Sequence, residues 1–68
     1  MSHNAMIEAA LKAGERLTPL DALRRFGCLR LGARIWDLRQ AGMKIERQMI
    51  EVTTARGDTA RVAEYRAA

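Results

Sequence analysis

Sixty-eight residues with a net charge of +4 are the size of one small domain, too short for two. About half are hydrophobic (49%) and one is proline, which argues against disorder, and no apolar run approaches the ~18 residues that cross a membrane. The lone cysteine cannot form an internal disulfide and no secretory leader is evident, so a cytoplasmic protein is expected.

Ten of the twelve basic residues are arginine. Its planar fork of donors suits phosphate and guanine edges in a way lysine does not. The charge therefore leans toward a polyanionic partner, although +4 also serves solubility alone. A core this small rarely supplies more than ~3–5 kcal/mol, so a dimer partner or ligand could add stability.

Ser2, His3 or Asn4 can cap a first helix, with Asn4 the best of the three. Met6, Ile7, Ala10 and Leu11 share a face at helical spacing, Glu8 and Lys12 pair on the other side, and Gly14 ends the element, giving a helix over 4–13. Residues 15–17 read as a short link, with room for one extended bridge. Thr18 followed by Pro19 and Asp21 is a capping-box start with proline at the first helical position. The second helix then runs over 19–26 with Leu20, Leu23 and Phe26 inward, Asp21 and Arg25 paired, and Gly27 as its stop.

A third helix is expected over 29–41, ended by Gly42. At ~100° per residue, Leu31, Ile35 and Leu38 fall in one narrow arc with Cys28 beside it. Arg30, Ala33, Arg34 and Asp37 occupy the opposite arc, with Gln40 and Ala41 at its edges and Leu29 and Trp36 on a flank. Residues 44–66 read as a hairpin with strands 44–53 and 59–66 around the "TARGD" turn. Ile45, Arg47 and Met49 share one face but Ile50 and Val52 the other. Either a bulge near Gln48–Met49 re-aims the chain, or both distal faces are partly exposed. Tyr65 is expected to close the core, and Ala67 and Ala68 to fray.

Two helices joined by a tight glycine turn, with a basic outer face on the second, form a helix-turn-helix pattern. The run "LTPLDALRRFGCLRLGARIWDLRQAG", then "KIERQMIEV", a glycine turn and "ARVAEYR", resembles a family of winged helix-turn-helix domains found in small phage, prophage and bacterial proteins. The resemblance covers about residues 17–66. It implies an α+β fold over 1–68, with three helices followed by a C-terminal β-hairpin wing. It also implies that the third helix is the recognition helix.

On this reading the chain binds double-stranded DNA sequence-specifically, as a small phage-type regulator or an excision or replication accessory. Arg30 and Arg34 project to guanine edges or phosphates, or one of them braces the helix pair through Asp37 or Asp21. Ala33 lets the helix approach the bases; Asp37 orients an arginine; Gln40 reaches phosphate, solvent or adenine. In the wing, Arg56 at the tip and Arg61 on the return strand reach the backbone or minor groove, supported by Lys44 and Arg47. Against this, Glu46, Glu51, Asp58 and Glu64 nearly neutralise the hairpin.

The alternative is a protein-interaction module on the same scaffold, without DNA binding. Trp36, Leu29 and Met43 would then face a partner, and Trp36 otherwise packs under the wing. A homodimer is compatible with either reading. RNA binding is weaker, since the chain has only three aromatics for stacking. One serine, one histidine and one cysteine without an orienting third group, and no metal or nucleotide motif, leave no expectation of catalysis, metal or cofactor.

Overall fold

A computed structural model of the chain describes residues 2–68. The order is α1 (His3–Lys12), α2 (Pro19–Phe26), α3 (Leu31–Gln40), β1 (Ile45–Thr53) and β2 (Thr59–Ala67). The three helices and the two-stranded antiparallel sheet make the α+β winged helix-turn-helix arrangement.

Ser2, not Asn4, caps α1: its hydroxyl accepts from the Ala5 N–H at 3.2 Å. The helix accordingly starts and stops one residue before the expected 4–13. Asn4 is spent elsewhere, donating through Nδ2 to Asp37 on α3 at 3.4 Å. Ile7, Ala10 and Leu11 are buried as the spacing requires, and Met6 is half-buried. The link that follows supplies one extended residue. The Leu17 N–H donates to the Tyr65 carbonyl at 2.9 Å, and the Tyr65 N–H returns to the Leu17 carbonyl at 2.8 Å.

α2 begins with the full capping box. The Thr18 hydroxyl accepts from the Asp21 N–H at 3.2 Å, and the Asp21 carboxylate accepts from the Thr18 N–H at 3.0 Å. Its burial differs from expectation. Leu20 and Leu23 are 51% and 43% exposed, and the fully buried residue is Ala22. The small side chain lets this eight-residue helix approach the core along a narrow strip, which turns both leucines outward toward the hairpin. Asp21 is committed to the cap, so Arg25 pairs instead with Glu15, at 2.6 Å. That hydrogen bond raises the Arg25 pKa above its usual value, against an opposing desolvation effect and with lesser help from the charges of Glu15 and Asp21. Gly27 ends α2 at φ 67°, a left-handed conformation that glycine adopts at little cost.

Cys28 is buried and its N–H donates to the Ala22 carbonyl at 3.1 Å. Leu29 and Arg30 do not join α3, which starts at Leu31 rather than near 29 and ends at Gln40 rather than 41. Arg30 has φ −125° and ψ 63° and holds the N-cap position without a side-chain cap bond. Leu31, Ile35 and Leu38 form the inward stripe.

The hairpin register runs unbroken from Ile45↔Ala67 to Thr53↔Thr59, so there is no bulge. Directly opposed residues share a face. One face brings Ile45, Tyr65, Ala63 and Ala67 against the core; the other carries Ile50, Val52, Ala60 and Val62. The two apolar sets serve different neighbours, which accounts for the broken alternation. Ala67 is paired in β2, and the Ala68 N–H donates to the Lys44 carbonyl at 3.0 Å, so the C-terminal alanines are tied down. Ile7, Leu11, Leu17, Cys28, Leu31 and Ile35 form the fully buried centre, closed by Tyr65.

Candidate nucleic-acid interface

The surface of α3 opposite Leu31, Ile35 and Leu38 is shaped by helical spacing alone. At ~100° per residue, Ala33, Trp36 and Gln40 lie furthest from that inward stripe, with Asp37 beside them. Ala33 and Asp37 are half-buried, and Gln40 and Trp36 are exposed. Trp36 is 61% exposed and does not pack under the wing.

Arg30 and Arg34 come together at the N-terminal end of α3. With His3, Gly27, Cys28 and Leu29 they line a shallow cleft of about 290 Å³. Arg30 is exposed, and among the described residues no carboxylate lies within 4 Å of it. Arg34 is half-buried and leans on Asp37, with its Nη2 at 3.3 Å from Oδ2. The same oxygen accepts from Asn4, so Asp37 is a junction between α1 and α3.

Arg39 belongs to the frame rather than to the outer face. Its Nη2 donates to the Ile45 carbonyl at 2.9 Å and fixes the start of β1 to α3. Lys44 stands exposed just before that strand.

The wing residues form a separate group. Arg56 is at the turn with its side chain 89% exposed and Asp58 at 4.0 Å, a contact that solvent screens heavily. Arg61 is exposed on β2 opposite Glu51, and Arg47 is exposed on the same face. Elsewhere the hairpin charges pair internally: Arg66 with Glu46 at 2.7 Å, and Arg16 from the α1–α2 link with Glu64 at 3.8 Å. Two of the four wing carboxylates are thus engaged by arginines other than Arg56 and Arg61.

Met43 packs against the core, leaving Leu29 and Trp36 as the exposed members of the apolar trio. Sequence reasoning missed the Asn4–Asp37 link, which depends on how α1 crosses α3. It also misplaced Trp36, whose place beside Gln40 on the outer arc was available from the spacing. Among the described residues, no three His, Cys, Asp or Glu side chains gather as a metal site would need, and no helix is long and apolar enough to cross a membrane.

A family model described as a winged helix-turn-helix domain matches residues 2–67. No curated protein and no solved structure matches the chain.

Proposed function

Because the chain belongs to the winged helix-turn-helix domain family, a type that in general binds DNA, we propose that it is a sequence-specific double-stranded DNA-binding protein. α3 enters the major groove, and the hairpin wing lies along the flanking backbone. The observation that carries this reading is Arg30, exposed and without a carboxylate partner at the head of α3, where recognition helices make their base contacts. Ala33 keeps the middle of the face low enough for close approach to base edges. Arg34, held by Asp37, is a second fork for guanine or phosphate, and Gln40 and Lys44 continue the contact beyond it. Arg56 and Arg61 take the wing's phosphates. Trp36 lies on the same outer arc and would meet the sugar-phosphate wall or a thymine methyl.

The role that fits a domain of this size is a small phage-type regulator or an excision or replication accessory, acting in the cytoplasm of a bacterial or phage-infected cell. One module contacts few phosphates. A homodimer on a two-fold site, with half-sites ~34 Å apart, would supply the missing affinity.

The test is selection from a random duplex library, followed by gel shifts. The parent chain is expected to enrich a defined motif. The Arg30→Ala/Arg34→Ala double variant should lose the specific shift while keeping its helical circular dichroism. Equal binding by that variant would remove the mechanism.

A second reading, a protein-interaction module, draws on the exposure of Leu29 and Trp36. It predicts no duplex binding even at about 50 mM salt, where electrostatic affinity is strong.

A further inference from the structure

A cleft of about 680 Å³ opens between α2 and the distal half of the hairpin. Leu20 and Leu23 line it from α2 and Val52 and Val62 from the hairpin, with Leu29 also in the lining. Six large hydrophobic side chains stand exposed among the described residues, and four of them (Leu20, Leu23, Leu29 and Val52) lie here. Apolar exposure concentrated in one concave place marks an interaction site, whereas scattered single residues do not. The only charged residue in the lining is Arg24, and among the described residues no carboxylate lies within 4 Å of it.

We propose that this cleft docks an acidic amphipathic segment of a protein partner, whose apolar side chains seat between Leu23 and Val62 while a carboxylate meets Arg24. The charge pattern selects this occupant. Duplex DNA would meet mainly apolar walls there, with Arg24 the one cation and three threonines the other polar side chains of the lining. A second copy fits no better. In a two-fold contact the patch would meet itself, and with no acid in the lining neither copy supplies the carboxylate that Arg24 lacks. An acidic segment satisfies both features together, as in helix-in-groove recognition. The cleft is lined by α2 and the hairpin with no α3 residue, and it adjoins the Arg30–Arg34 cleft only at Leu29; the inference does not draw on the DNA-binding reading.

The experiment is selection of peptides about sixteen residues long from a random library on the full chain. Binding by fluorescence anisotropy and amide chemical-shift mapping follow. Enriched peptides are expected to carry spaced apolar residues with Asp or Glu, and to shift the amides of Leu20, Leu23 and Val62. Leu23→Lys should weaken them at least about tenfold although it adds positive charge, as loss of a buried anchor does. Arg24→Glu, carried through a fresh selection, should exchange the acidic positions for Lys or Arg. Both substitutions change exposed α2 residues, so the fold and the preferred duplex motif should be unaltered, while non-specific duplex affinity follows the change in net charge.

The proposal is overturned by failure to enrich any peptide, by shifts that map to another face, or by undiminished affinity in Leu23→Lys. An acidic preference that survives Arg24→Glu also overturns it. So does a concentration-dependent dimer whose shifts fall in the cleft, which would assign the site to a second copy.

Discussion

Asp37 illustrates how one side chain sets the character of a surface. It presents negative charge on a helix that is otherwise basic, but its Oδ2 is shared between Arg34 and Asn4. It therefore aims one guanidinium and ties α1 to α3, and both services cost the surface a unit of positive charge. Asp37→Asn keeps the shape and removes the charge. Non-specific duplex affinity should rise. The slope of log K against log salt should steepen by about 0.9, as Arg34 becomes available to one more phosphate. Specificity should fall in the same variant, because an untethered arginine samples more positions. A salt titration on random and selected duplexes separates the two effects. Arg30 has no such tether, so Arg30→Ala alone should cost affinity without changing how the remaining helix is oriented.

Elements were legible in the sequence to the degree that their determinants are local. The start of α2 depends on Thr18, Pro19 and Asp21, all within four residues, and the expected capping box is present. Thr18→Ala removes the accepting hydroxyl and should lower stability by about 1 kcal/mol. In a domain of this size that is a fall of about 4–8 °C in Tm, measurable by thermal circular dichroism. The stop at Gly27 and the inward stripe of α3 were legible for the same reason. The burial of α2 was not. Leucine spacing alone points Leu20 and Leu23 inward, and only the tight approach at Ala22 and the presence of a hairpin on the far side reverse that. The first turn of α3 likewise depends on Cys28 being drawn into the core, which leaves Leu29 and Arg30 outside the helix. Among candidate site residues, the spacing put Arg30 and Arg34 on the outer arc and offered Asp37 as a partner for one of them; Arg34 takes it, while the Asn4 bond to the same oxygen was not legible. Arg39 was indistinguishable from them by sequence, since its partner is a carbonyl on a strand that the helix does not specify.

For the whole molecule, a small core and a dispersed positive charge set two expectations. Six large side chains and the small Ala22 form the fully buried centre, so a single cavity there removes a large part of the total. Ile35→Ala should cost about 2–5 kcal/mol against a stability of about the same size, and leave the chain largely unfolded at room temperature by urea titration. Charge works at longer range. Arg56 and Arg61 sit on the hairpin away from the α3 cleft, so an Arg56→Ala/Arg61→Ala variant should weaken all duplexes to a similar degree. It should flatten the salt slope by up to about 1.8, and leave the preferred motif unchanged. A changed motif in that variant would mean that the wing reads bases.

The paired backbone bonds between Leu17 and Tyr65 also constrain how the protein is made. A ribosome delivers the three helices well before it delivers their fastener. Until residue 65 is free to pair, the chain leaves Leu17 and the floor of the core open to water, at the stage when sticky intermediates meet chaperones and proteases. Final closure therefore waits on the late-synthesised strand, and shortening that strand by a few residues would hold every new copy in its vulnerable half-finished form.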